Sequence, residues 1–169
     1  MPADDSEVRE APKGISTVPD VKPLPRWLRT ANRAVSVMTR FGFTTGPVCV
    51  LTVPGRRTGK PRSTPVSPLA VSGRRYVVAG VPDSDWARNV RAAGNGQLSR
   101  GRRRETVTLT EVTDRALKGQ VMRAYPQEVP KGAPMFAYFG VVSSPDPEAF
   151  AAAASRVAVF EIHPAPPAR

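Results

Sequence analysis

The sequence predicts a mainly β (α+β) fold: a small barrel of about six strands with an N-terminal helix and short peripheral helices. Two observations carry this. Short runs rich in β-branched residues recur between Pro/Gly turns, and most of them follow one another as hairpins. A third removes the main rival, because the strand–helix–strand alternation of a doubly wound fold is missing, and with it a Rossmann reading of any nicotinamide site. A sheet of that size built from hairpins closes readily on itself. The 169 residues, 40% of them hydrophobic, suffice for one domain around one core.

The elements follow in order. Residues 1–23 mix acids, prolines and small residues without periodicity and read as a flexible arm, which leaves 24–169 as the folded domain. After Pro25, which suits a first helical position, Trp27, Leu28, Ala31, Ala34, Val35, Met38 and Phe41 fall at helical spacing, and Gly42 is a stop. Val48–Val53 is an apolar strand ending at Pro54-Gly55. Ser63–Val71 resumes extended character, and Pro65 and Pro68 mark it as an edge or a bulge. Ser72-Gly73 turns the chain into Arg75–Ala79. Asp83 or Ser84 caps a helix over Asp85–Ala93 that Gly94 closes. Gln97–Arg100 and Arg103–Val112 form another hairpin, the second strand alternating Thr106, Thr108 and Thr110 with Val107, Leu109 and Glu111. Thr113 or Asp114 starts a helix to about Tyr125. Residues 126–147 are rich in Pro and Gly around Phe136, Tyr138 and Phe139; Pro147–Arg156 has helical propensity, and Val157–Ile162 is the last strand.

The formal charge of +11 calls for an anionic partner, whether nucleic acid, an acidic membrane face or a cofactor. No helix-turn-helix, zinc module or RNP-like aromatic pair accompanies the arginines, which argues against nucleic acid. Cys49 is the only cysteine, so an intrachain disulfide and a cysteine-rich zinc site are both excluded, and no metal site is expected. No window approaches the roughly 20 apolar residues that span a bilayer, and the acidic Met1–Glu10 does not resemble a signal peptide. The expected location is cytoplasmic. The apolar stripe within residues 26–41, flanked by Arg26, Arg29, Arg33 and Arg40, has two readings: it packs on the barrel, or it meets the inner face of the membrane peripherally.

Gly55-Arg56-Arg57-Thr58-Gly59-Lys60-Pro61-Arg62 places four cations between positions 56 and 62. Glycines let the backbone bend and turn N–H groups toward a ligand. Arginine forks bind phosphate or carboxylate oxygens in pairs, lysine adds a compact charge, and Thr58 offers a hydroxyl. The order G-x-x-x-x-G-K-[ST] of a P-loop is absent. A solvated hairpin loop accounts for these residues equally well.

The wider segment is more specific. VLTVPGRRTGKPRSTPVSPL, then YVVAG, then DWARNVRAAG resembles the deazaflavin (F420)-dependent nitroreductase and quinone reductase family. In that family a strand ends in a threonine-rich turn, followed by a G-R-(R/K)-(S/T)-G-x-P-R loop and a proline-containing strand. A short strand then leads to a helix bearing W-x-x-N-x-x-A. The likeness covers about residues 48–112, and the last strand, VAVFEIHP, fits less sharply.

The resemblance implies a split β-barrel and reduced coenzyme F420, whose phosphate and oligoglutamate tail are anionic. Arg56, Arg57, Thr58 and Arg62 fall on the family's positions for gripping that tail, with Gly59 and Lys60 in the same loop, Lys60 at a position that varies. Pro65 matches the strand along the deazaflavin ring, Ala79, Gly80 and Val81 match the segment near it, and Trp86 and Asn89 match the covering helix. On the substrate side, Ser67 stands where a tyrosine can occur, and Phe136 and Tyr138 lie in the region of other pocket residues. Tyr138 is the one candidate acid, with solvent as the alternative; His163 is expected at the surface. The implied activity is hydride transfer from reduced F420 to an electron-poor acceptor: a quinone, nitroaromatic or enone. The alternatives are a non-catalytic F420 or fatty-acid carrier and an FMN-binding split barrel. Monomer and homodimer are both compatible.

Overall fold

The computed structural model describes residues 48–166. The arm over 1–23 and the helix read within residues 26–41, with its membrane contact, lie outside the described residues. Seven strands form one antiparallel sheet: β1 (Cys49–Pro54), β2 (Pro61–Val66), β3 (Leu69–Val71), β4 (Arg74–Ala79), β5 (Asn95–Arg100), β6 (Arg103–Glu111) and β7 (Ala158–Pro164). Among the described residues four short helices accompany it: α1 (Asp85–Ala93), α2 (Arg115–Glu128), α3 (Ala133–Tyr138) and α4 (Pro147–Ala152), the last running into a 3-10 turn over Ala153–Arg156.

The strand order is β2-β1-β5-β6-β7-β4-β3. The expected single strand over Ser63–Val71 is therefore two strands, which raises the count from about six to seven. The physical reason is a change of partner at Ser67-Pro68: Val66 pairs with Cys49 of β1, whereas Leu69 pairs with Tyr76 of β4. β2 and β3 stand at opposite edges of the sheet, yet only two residues separate them in the chain. That link spans about 10 Å at most, so the sheet must curl until its edges meet. Pro68 suits the break because it has no N–H to give a ladder. Closure is incomplete. Beyond Tyr76, the outer edge of β4 has no strand partner among the described residues, nor does the outer edge of β2, and a seam opens between them. This is a split barrel.

Strand alternation then sorts the side chains. Cys49, Leu51 and Val53 of β1, Val77 and Ala79 of β4, Leu98, Val107, Leu109 and the Ala158/Phe160/Ile162 set of β7 fill the barrel interior. α1 lies across one end, with Ala87 and Val90 buried and Trp86 tilted on Phe160 at 5.8 Å between centroids. Gly96 is required where β5 meets β1, since a Cβ there would lie 2.7 Å from the Thr52 carbonyl oxygen. A second core covers the outer face of β3, β4 and β7. Tyr76 and Val159 pack there against Val121, Met122 and Tyr125 of α2 and against Phe136 and Phe150.

Most local signals behave as the residues dictate. Gly94, at φ 65°, closes α1 and donates its N–H to the Val90 carbonyl. Asp114, and not Thr113, caps α2, its carboxylate accepting from Leu117 N at 2.7 Å. Ser84 occupies the cap position of α1 but makes no side-chain cap bond. α2 outruns Tyr125 to Glu128, and Val129 N–H restores the ladder beyond Pro126 by bonding the Tyr125 carbonyl. Among the described residues no helix is long and apolar enough to cross a membrane.

One ion pair fixes α1 to the sheet. Arg91 Nε and Nη2 bond the two Glu111 oxygens at 2.7 and 2.8 Å, and its Nη1 donates to the Pro82 carbonyl. The guanidinium holds the Glu111 carboxyl below its ordinary value of 4.5. A depressed carboxyl contributes stability above its unfolded pKa and loses it as pH falls through the folded value. Glu111→Gln should therefore cost about 1 kcal/mol near neutrality, a few degrees of Tm. Thermal melts should show that difference shrinking as the pH drops below 4.5.

Candidate cofactor site

β1 and β2 pair as far as Pro54 and Pro61, so residues 55–60 form the turn. Gly55 N–H donates to the Lys60 carbonyl at 2.9 Å, and the Gly55 carbonyl accepts from Gly59 N at 2.7 Å and Thr58 N at 3.2 Å. Gly59 sits at φ 67°, and a Cβ on Gly55 would lie 3.1 Å from the Lys60 oxygen. Each glycine thus answers a specific need: one a left-handed residue, the other a close approach. Thr58 Oγ1 accepts from Lys60 N at 3.4 Å, inside its own loop.

The four cations of the loop do not share one role. Arg56 is pinned to α1. Its backbone N–H and its Nη1 both donate to Asn89 Oδ1 at 3.1 Å, and its Nη2 meets Asp85 Oδ1 at 3.0 Å. Asn89 is 5% exposed, the one buried polar residue among those described. Arg57, Lys60 and Arg62 are exposed, and none has a carboxylate partner among the described residues. A groove of about 250 Å³ runs between Gly55, Arg57 and Gly59 on one side and Ala92 and Ala93 of α1 on the other.

The remaining predicted residues separate into groups. Pro65 lies on β2 opposite Val50, Ala79 ends β4, and Gly80 and Val81 follow it, so Pro65 and Ala79 belong to the two edge strands on either side of the seam. Gly80 touches the α3 layer, where a Cβ would stand 3.2 Å from Phe136 Cε1. Trp86 is half-buried against the barrel core. Ser67 sits in the β2–β3 link. Phe136 and Tyr138 do not come together: Phe136 is buried between Tyr125 and Phe150, whereas Tyr138 is 69% exposed and touches Phe139. His163 is half-exposed, 3.8 Å from Glu161. Sequence reasoning missed Asp85 and the clamp it completes, because a contact across 29 residues leaves no local pattern. Among the described residues no cluster of metal ligands is present.

Residues 26–131, more than half the chain, match the sequence pattern of the F420H(2)-dependent quinone reductase family. The chain belongs to this family. Its cofactor is reduced coenzyme F420, and the chain is an F420-dependent reductase. The residues present fit that group: Arg56 and Arg57 line the groove, and exposed Lys60 and Arg62 stand in the same short segment, which suits a polyanionic tail. Three solved structures are among those similar to this quinone reductase family member. A domain-swapped dimer is 19% identical over 81% of this chain and 97% of its own, with a TM-score of 0.50. An F420-H2 dependent reductase is 18% identical over 70% and 95%, TM-score 0.49. A NimC/NimA family protein from Clostridium acetobutylicum is 15% identical over 77% and 76%, TM-score 0.46. No curated protein sequence matches the chain significantly.

In this family member, the shape of the basic loop depends on Asn89. Asn89→Ala removes the acceptor of a backbone N–H and a guanidinium at once, which should cost about 1–3 kcal/mol. Urea unfolding should show the loss, and the Arg56 amide should exchange faster. Asn89→Asp keeps the oxygen and should behave nearly as the parent.

Proposed function

We propose that the exposed cations Arg57, Lys60 and Arg62 hold the phosphate and oligoglutamate tail of F420, while Arg56, clamped by Asn89 and Asp85, shapes the loop. The observation that carries this reading is the division of labour in the loop: one arginine is tied to α1, and three cations have no carboxylate partner among the described residues. The seam is the proposed seat of the deazaflavin ring, with Pro65 on one lip and Ala79, Gly80 and Val81 on the other. There, strand backbone groups that lack a sheet partner are available to its polar edge, and small residues allow close approach. Trp86, braced on Phe160, supports the end of the barrel under α1.

Reduced F420, when bound, supplies hydride from its C5 atom. The protein's part is to hold an acceptor about 3–3.5 Å away, replacing a chance encounter with an oriented one. The proposed acceptor is a quinone, with nitroaromatics and enones as further electron-poor candidates. Ser67 at the end of β2 and exposed Tyr138 stand on the proposed acceptor side, and protons come from solvent. Buried Phe136 serves this side by packing behind Gly80. We further take residues 24–169 as the cofactor-binding domain, with the segment 26–41 as the means of reaching a quinone dissolved in the membrane.

The test is a fluorescence titration of the purified full chain with F420, followed by turnover with menadione and a nitroaromatic. Replacing Arg57 and Lys60 with alanine should weaken F420 about tenfold or more, with each lost charged contact near 1.5–3 kcal/mol before screening. The parent's affinity should fall as salt rises. Unchanged affinity in the double variant would sink the tail assignment. A yellow preparation with a flavin spectrum would point to FMN, and F420 binding with no turnover on any acceptor would point to a carrier.

A further inference from the structure

The end of the barrel away from the Gly55–Arg62 loop carries a second concentration of positive charge. β1 runs from Cys49 at that end to the loop at the other, a strand length of about 20 Å. A cavity of about 470 Å³ opens there, floored by Cys49, Pro68 and Leu98. That volume lies within the roughly 300–1,000 Å³ typical of small-molecule sites. Four arginines and one glutamate complete the lining: Arg75, Arg100, Arg103, Arg104 and Glu105.

Strand parity explains why Arg75, Glu105 and Arg100 converge. Arg75 and Glu105 stand two residues before the inward-facing Val77 and Val107, and Arg100 stands two beyond inward-facing Leu98. They therefore belong to the interior face, at the point where the apolar filling stops. Arg75 is satisfied within the site, bonding both Glu105 oxygens, with Nη1 to Oε2 at 2.8 Å. The hairpin arginines are placed differently. Arg100 faces Arg103 directly across the hairpin, and Arg104 pairs with Ser99 one step up. Like charges directly opposite in a ladder repel. Neither Arg103 nor Arg104 has a carboxylate partner among the described residues. A bound oxyanion would give Arg103 and Arg104 charge-assisted contacts, and guanidinium forks suit the several oxygens of a phosphate. The floor calls for something apolar behind the charge.

We propose that this cavity is a second anion site, which takes a phosphate ester with an apolar body and holds it apart from the deazaflavin tail. Arg103 and Arg104 grip the phosphate, Arg100 adds charge from the facing strand, and the body rests on Leu98 and Pro68. The inference does not rest on the proposed seat of F420.

The test uses the full chain and dihexanoyl phosphatidic acid as a soluble probe, read by calorimetry. The expected result is saturable binding, at least tenfold tighter than for dihexanoyl phosphatidylcholine. Arg103→Ala/Arg104→Ala should weaken it tenfold or more, whereas Arg57→Ala should leave it unchanged. Cys49 supplies a readout in the unaltered protein: it is the only cysteine and lines the cavity, so bound probe should slow its alkylation. Co-sedimentation with phosphatidic acid vesicles through the same two arginines would identify the source as a lipid headgroup. Binding of the soluble probe without vesicle binding would identify a free phosphate ester. No binding of the probe, equal binding by the double variant, or unaltered Cys49 alkylation at saturation would overturn the proposal.

Discussion

The molecule's geometry depends on the shortness of one link. Ser67-Pro68 joins two strands that stand at opposite edges of a seven-stranded sheet. A two-residue tether cannot cross a flat sheet, whose seven strands at about 4.8 Å spacing would span roughly 29 Å. Curvature is therefore imposed by connectivity and not left to strand twist alone. From it follow an enclosed apolar interior, two ends and an incomplete seam. α1 covers one end because the chain leaves β4 at that side, and the turn between β1 and β2 rises beside it.

The two ends are chemically alike and structurally distinct. At one, Asn89 and Asp85 tie Arg56 to α1, while Arg57, Lys60 and Arg62 have no carboxylate partner among the described residues. At the other, Glu105 holds Arg75, while Arg103 and Arg104 of the β5–β6 hairpin have no carboxylate partner among the described residues. In each case a paired arginine fixes the frame, and cations without such a partner carry the capacity to bind. A net charge of +11 spread evenly would only repel. Concentrated at two mouths about a strand length apart, it becomes two localised fields.

How much of this was legible depended on the range of the signal. Gly94 closing α1, Asp114 capping α2 and the Thr/Val alternation of β6 are local, and they read correctly because each answers a backbone requirement within a few residues. The basic loop was legible as a glycine-bounded turn dense in cations, and the segment around it, with the W-x-x-N spacing, pointed to the family. The Ser67-Pro68 break was half legible: the prolines announced an irregularity, but an exchange of partner strands is a property of the closed sheet. The clamp on Arg56 was not legible, since 29 residues separate it from Asp85. Phe136 and Tyr138 looked like a pair in sequence, yet two residues along a helix turn them to opposite environments, one at 8% exposure and the other at 69%.

This division bears on how such a barrel would support hydride transfer. Positioning to a few tenths of an ångström needs a rigid floor and a firmly held handle. The interior under α1 is tightly filled, with Phe160 fully buried and Trp86 resting on it. The handle is a turn whose backbone is closed by three of its own hydrogen bonds and tied to a helix by Asn89. A loop merely rich in arginine would attract a polyanion without orienting it. Asn89 is the group that fixes the loop, since it holds the backbone from which the outward cations project. Its burial, an expensive position for an amide without a partner, is compensated by the two Arg56 donors. The sheet sets where the seam lies, and this amide sets where the loop's cations stand relative to it.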